Sequence, residues 1–226
     1  MSRDRLLAEW KEWRGTMLFV ALMCVFRSSF ADIYHVPSGS MKPTVVEGDR
    51  ILTEKMAYDV RLPFTGVVLW HRAAPRRGDI VVLYSPEDGT RLLKRVVGEP
   101  GDVISMQDEI VSINGQALHY LPPSSGESAA LPDAADHVFG QEDLSGRRHA
   151  VMFDPGRAAL RSFAPVVVPA GEYFVMGDNR DDSKDSRFIG FIPERSIAGR
   201  AFAIAYSLDP ARHYLPRFGR SFQPLR

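Results

Sequence analysis

Hydrophobic and polar positions change rhythm along this chain, and each change predicts a different kind of element. From Gly15 to Phe26 twelve residues are uncharged and mostly apolar. As a helix they span about 18 Å, short of the roughly 30 Å hydrocarbon core of a bilayer. Arg27 can snorkel toward the far interface and Ser28 to Ala31 can extend the crossing, which predicts one transmembrane anchor over residues 15–32. Residues 1–14 mix four basic and three acidic side chains, with Trp10 and Trp13 toward the apolar edge, as a cytoplasmic flank does. A cleavable signal peptide is the rival, because Ser29-Phe30-Ala31 offers small residues at −3 and −1. The acids of the flank and the position of Arg27 oppose it.

Beyond residue 36 the runs shorten to strand length. Residues 45–55 and 57–62 predict short strands, with turns at Gly48-Asp49 and Pro63. Ile80 to Tyr84 and Leu92 to Val97, joined by Pro86-Glu87-Asp88-Gly89, predict an antiparallel hairpin. Residues 103–121 predict another, turning at Asn114-Gly115. Residues 122–136 are rich in Pro, Ser, Ala and Gly and predict a loop, and 137–164 are polar without a clear period. Strands at 165–168 and 173–176 and a stretch over 192–206 complete a mainly β chain. Residues 63–76, with Phe64, Val67, Val68, Leu69 and Trp70 before Arg76-Arg77, are either a core strand or an exposed apolar rim at a lipid surface. The arginine-rich tail after Ser207 predicts a frayed end or a contact with anionic headgroups.

Composition narrows the function. With 226 residues and 45% apolar content the chain can bury one sizeable core. The formal net charge is zero and no basic stripe carries interleaved aromatics, so no nucleic-acid partner is expected. The single cysteine, Cys24, lies in the apolar run, which leaves no disulfide and no cysteine metal site. His119, His137 and His149 have no second ligand at metal-binding spacing and are expected at the surface. A calcium loop starting at Asp181 fails at Ser186 and Ile192. No metal and no cofactor are expected.

Two residues attract attention as chemistry. In Val36-Pro37-Ser38-Gly39-Ser40-Met41-Lys42-Pro43-Thr44, Pro37 pushes Val36 toward extended geometry and Gly39 permits a tight bend, so Ser40 presents its hydroxyl. That is either an ordinary turn serine or a nucleophile, which needs a base and oxyanion donors. The Ser40 amide and the Ser38 hydroxyl are within reach of the second task. Lysine is scarce, at Lys11, Lys42, Lys55, Lys94 and Lys184, and arginine cannot serve as a base. In the second strand of the 80–97 hairpin Lys94 shares a face with Leu92 and Val96, where desolvation would lower its pKa. Lys184 sits among aspartates that would pair with it, Arg180 and Arg187 inside one polar turn.

The run around Ser40 resembles the nucleophile motif of type I signal peptidases, Ser/Lys membrane endopeptidases. Gly48-Asp49-Arg50-Ile51-Leu52 resembles the next motif of that family. Arg77-Gly78-Asp79-Ile80-Val81-Val82 with Lys94-Arg95-Val96-Val97-Gly98-Glu99-Pro100-Gly101-Asp102 resembles the third, and the block from Gly177 to Arg187 the fourth, all in the family's order. The resemblance covers about residues 13 to 207 and is weak over 105–165. It implies an antiparallel β catalytic core (33–104 and 166–207) with an inserted β-rich subdomain (105–165), preceded by one transmembrane helix. It also implies Ser40 as nucleophile, Lys94 as base, Ser183 donating its hydroxyl to the lysine, and Asp185 paired with Arg187 to brace the site. Val36, Met41, Val45, Val82 and Leu93 would line two shallow pockets for small side chains at −1 and −3.

Signal peptides of translocated precursors and membrane lipid are the partners so implied, for a monomer in the bacterial cytoplasmic membrane with its catalytic domain outside. Lys42, directly after Met41, would either bias the mature side of the substrate or stay solvated. A Ser/Lys peptidase dedicated to one conjugation or pilus component, or a catalytically silent tethered binding module, remain alternatives.

Overall fold

The computed structural model describes residues 3–123 and 134–225; the loop expected over 122–136 lies mostly outside them. The N-terminal helix α1 (Arg3–Ser29) leads directly into strand β1 (Ala31–His35). No described helix is long and apolar enough to cross a membrane. The anchor expected over 15–32 finds no support in this: α1 carries only the twelve uncharged residues already counted between Arg14 and Arg27, and Ala31 and Asp32 belong to β1. Within the uncharged run Leu18, Phe19 and Leu22 are exposed.

The largest part of the fold is a curled antiparallel sheet. Strands β2 (Asp49–Glu54), β5 (Ile80–Tyr84), β6 (Arg91–Gly98), β14 (Glu172–Met176), β15 (Ile192–Pro193) and β16 (Ile197–Asp209) join β1 in the order β1-β2-β16-β5-β6-β14-β15. The β5–β6 hairpin pairs Val81 with Lys94 and closes through Gly89 at a φ of 71°. A two-stranded ribbon, β3 (Asp59–Arg61) with β4 (Val68–His71), projects from this sheet. All four residues of β4 are exposed, and Phe64, Leu69 and Trp70 form an apolar rim rather than a core strand. The strand expected from residue 45 starts at Asp49, because residues 41–48 are wound into turns.

Residues between β6 and β14 build two smaller sheets. Strand β13 (Phe163–Val167) pairs with β7 (Val103–Gln107), which pairs with β8 (Ile110–Ile113), which pairs with β9 (Gln116–Ala117); β10 (His119–Leu121) pairs with β11 (Val138–Leu144), which pairs with β12 (Arg147–Phe153). Asn114-Gly115 turns β8 into β9 with both φ positive, whereas β7 turns into β8 at Asp108-Glu109, also both positive. No glycine advertises that second turn. It is held from outside, by the Ser162 hydroxyl and the Arg161 carbonyl accepting the two amides. Ile104, Met106, Val111 and Leu144 share one buried cluster with Val97, Phe174 and Met176 of the main sheet.

Two expectations fail here. His149, expected at the surface, is only 5% exposed; it lies on β12, one of two seven-residue strands in the stretch 137–164 that showed no clear period. The alternation was masked because His149 and Glu142, polar side chains, face inward. The tail after Ser207 is not frayed: β17 (Leu215–Pro216) and β18 (Gln223–Pro224) pair with β16, and Arg220 reaches buried Asp49 at 2.8 Å. Asp49 also accepts from the Ser207 hydroxyl at 2.6 Å, so a buried carboxylate near residue 50 is what anchors the chain's end.

Candidate active site

The bend after β1 is built as a plug. Pro37 ends the strand, Lys42 N donates to Gly39 O at 3.0 Å, and Met41 and Val45 sink into a cluster with Val36, Ile51 and Ile80. Burial of the residues on either side fixes where Ser40 sits. Its Oγ lies 2.6 Å from Lys94 Nζ in a hydrogen bond. The two residues, 54 positions apart in sequence, meet because the sheet curls: Arg91 on β6 lies 4.4 Å over the Tyr34 ring on β1, although three strands separate β1 from β6 in the sheet.

Lys94 is 2% exposed and forms no ion pair among the described residues. Burial pulls its pKa down to about 8, against a partial upward pull from Asp185 and Asp178. An ammonium stripped of water is disfavoured, so a substantial neutral fraction exists near neutral pH. A neutral amine can accept the serine proton; Lys42, Lys55 and Lys184 lack this setting. Lys42 pairs with Glu47 at 3.1 Å, Lys55 donates to Ser28 O at 3.1 Å, and Lys184 pairs with Glu87 at 2.6 Å.

The segment 177–187 clamps the serine loop from the other side. Asn179 N donates to Ser40 O at 3.1 Å, Asn179 Nδ2 to Gly39 O at 3.2 Å, and the Thr44 hydroxyl to Asp178 at 2.5 Å. Gly177 makes this approach possible: a Cβ there would stand 2.4 Å from Ser40 O and 2.3 Å from Ser183 Oγ. Asp178 in turn takes a bidentate pair from Arg95, at 2.8 and 2.7 Å. Burial alone would push the Asp178 carboxyl up, but the Arg95 guanidinium holds it below the usual range. Thr44, Arg95, Asp178 and Asn179 had no assigned role in the sequence, although all lie within the quoted motifs. The signal was the crowding of Asp and Asn after a glycine.

The polar turn expected over 178–187 is corrected: most of its charges pair outward. Arg180 meets Glu142 at 2.6 Å, Asp181 meets Arg161 at 3.4 Å and Asp182 meets Arg157 at 2.6 Å. His149 Nε2 lies 3.4 Å from Glu142 and 3.9 Å from Asp178, and burial holds its pKa below the ordinary value. Asp185 and Arg187 do pair with each other, at 2.8 Å, and Asp185 also caps the short helix α2 (Ser186–Ile189). Burial would raise the Asp185 pKa and the Arg187 guanidinium keeps it low. The Ser183 hydroxyl is buried beside Gly177 and forms no hydrogen bond to Lys94; its neighbour is Asp185, whose low pKa it helps to hold.

A cavity of about 50 Å³ opens beside the pair, lined by Ser38, Ser40 and Lys94 with Val36, Met41, Val82 and Leu93. Val45, expected among its walls, is fully buried behind Met41 instead. A larger cavity, about 740 Å³ between the β11–β12 tip and β16, holds neither Ser40 nor Lys94. Among the described residues no group of three or more His, Cys, Asp or Glu could hold a metal ion.

Residues 9–206 match a family model described as signal peptidase, peptidase S26. The chain is 35% identical to a signal peptidase I of Pseudomonas aeruginosa, over 97% of this chain and 80% of that one. Similar coverage is found with a signal peptidase I of Pseudomonas fluorescens at 36%. A signal peptidase I of Aquifex aeolicus is 33% identical over 84% of this chain and 82% of its own.

Proposed function

The chain belongs to the signal peptidase family S26, and from that premise we propose that Ser40 is its nucleophile and Lys94 its general base. Family membership carries the reaction: a serine endopeptidase hydrolyses the bond joining an N-terminal signal peptide to an exported protein. The observation that supports the residue assignment is the 2.6 Å contact of the buried Lys94 Nζ with the Oγ of half-buried Ser40, at the edge of the cleft.

In the proposed sequence of steps neutral Lys94 takes the Ser40 proton as Oγ bonds to the carbonyl carbon after the −1 residue. The Ser40 amide and the Ser38 hydroxyl donate to the oxyanion. As the intermediate collapses, the Lys94 ammonium gives its proton to the departing amine. Lys94, neutral again, deprotonates a water that hydrolyses the ester. Asp185 with Arg187, and Ser183 beside Gly177, brace the wall behind the lysine. The small cavity walled by Val36, Met41, Val82 and Leu93, with Val45 supporting Met41, admits small side chains at −1 and −3.

Signal peptidases I of bacteria are membrane-associated, and the finer topology belongs to the same proposal. The apolar stretch of α1 anchors the enzyme in the cytoplasmic membrane, the rim at Phe64, Leu69 and Trp70 rests in the interface, and the catalytic unit acts as a monomer on the outer face. The test is cleavage of a precursor with alanine at −3 and −1 by wild type beside Ser40→Ala and Lys94→Ala. Each variant is expected to lose on the order of 10⁴-fold or more in kcat with its circular dichroism unchanged. Full activity in either variant removes the dyad.

A further inference from the structure

The end of the cleft away from Lys94 has a chemistry of its own. Its lining there is Tyr34 and His35 of β1 and Arg91 of β6. No residue lining the cleft is acidic, and Arg91 is exposed and forms no ion pair among the described residues. Its guanidinium instead lies over the Tyr34 ring at 4.4 Å, bridging the two strands between which the cleft opens. A cation–π contact at such an exposed site is weak, about 0.5–1 kcal/mol, and can be exchanged for a better partner. On β1 the neighbouring His35 has its pKa lowered by burial and by Arg50, so it offers no competing charge.

We infer that Arg91 is a specificity-determining residue that selects for an acidic, and against a basic, side chain just upstream of −3 in the precursor. The inference rests on the peptidase reading above and adds a subsite to it. Because the depressions proposed for −1 and −3 lie in this cavity, its far end faces the part of the substrate upstream of them. Arg91 precedes Lys94 by three residues of extended strand, about 10 Å. An extended substrate with its −1 carbonyl at Ser40 covers the same distance with three residues, which brings −4 opposite Arg91 and −5 within reach of its long side chain. The edge strand β1 can hold the substrate in this extended form. A carboxylate there would draw the guanidinium off Tyr34; an ammonium would meet an unneutralised cation.

The experiment uses the full chain in detergent micelles and six peptides with alanine at −1 and −3. Asp, Asn or Lys is placed at −4 in one set and at −5 in the other. For wild type at low salt, kcat/KM is expected to fall in the order Asp, Asn, Lys by about fivefold per step in at least one set, as for an exposed ion pair. The spread should shrink in 0.5 M salt. Arg91→Gln should collapse it and Arg91→Glu should invert the order. Ratios within one variant are compared, so a change in overall activity or folding does not enter. An absent spread in wild type, or an unchanged order in Arg91→Glu, overturns the inference while cleavage of the Asn peptides still supports the peptidase. Failure to cleave any peptide overturns both.

Discussion

Lys94 and Arg95 are neighbours on β6, equally removed from water, and their surroundings give them opposite tasks. Lys94 meets a serine hydroxyl at the edge of a small cavity; Arg95 meets Asp178, both of whose oxygens it binds. Burial charges both cations the same kind of desolvation penalty. On one face a carboxylate offsets it, and the arginine remains a permanent brace. On the other only carboxylates out of contact, Asp185 and Asp178, pull against burial, and the lysine becomes a base. The difference is in what lies opposite, not in how deeply either is buried.

The strongest way to break this contrast is to make the two faces carry the same residue. Lys94→Arg keeps a cation of similar length but cannot lose its proton at any working pH. It should be as inactive as Lys94→Ala, with kcat lower by on the order of 10⁴-fold. Single-turnover kinetics on a precursor would check this; activity within tenfold of wild type would mean that a charge, rather than a proton acceptor, is what Ser40 needs.

The brace is tested by removing the other cation. Arg95→Met leaves Asp178 buried and unpaired, and breaking such a pair costs roughly 3–5 kcal/mol. Denaturant unfolding should show that loss. Because Asp178 also holds Thr44, and its neighbour Asn179 holds Ser40 and Gly39, the surviving folded fraction should turn over more slowly. Asp178→Asn is the milder form, keeping an acceptor for Arg95 and Thr44.

These two faces were not equally legible in the chain. Period-two alternation across 92–96 and the scarcity of lysine were enough to single out Lys94, and the Pro/Gly bend was enough for Ser40, because each signal is local. Arg95, Asp178 and His149 were missed for a common reason: their partners lie on other segments, 83 positions apart for Arg95 and Asp178, and a charged residue in sequence reads as surface until its counter-ion is seen. The same held for the tail, whose Arg220 is tied to Asp49 across 171 positions. Val45 and Ser183 came from resemblance alone, and the packing sets one behind Met41 and the other across Gly177.

A subtler test takes the desolvation of Lys94 as a stability cost. Its pKa in the folded protein, about 8, lies below the ordinary 10.5, so the unfolded chain holds that proton more tightly. Stability should therefore rise with pH between about 8 and 10.5, and below that window the folded protein carries the full penalty, about 3 kcal/mol. Lys94→Met, similar in volume and uncharged, should unfold at a higher temperature than wild type at pH 6, by several degrees, and lose that advantage above pH 10. Activity follows the same ionisation: kcat/KM of wild type should climb as pH rises toward 8 and level off beyond it. A gain in Lys94→Met that did not vary with pH would point to packing instead.

The smallest effect belongs to the lysine nearest the nucleophile in sequence. Lys42 is two residues from Ser40, yet it keeps contact with water and pairs with Glu47, itself more than a third exposed. An exposed pair of this kind contributes about 0–1 kcal/mol and is screened by salt. Lys42→Gln should alter stability by less than about 0.5 kcal/mol and leave kcat/KM on a small-residue precursor within about twofold. If it instead lowered kcat while leaving KM unchanged, the base would have to be sought on the serine loop itself. A null result for Lys42 beside inactivity for Lys94 would show that exclusion of water, rather than closeness along the chain, is what turns a lysine into a proton acceptor.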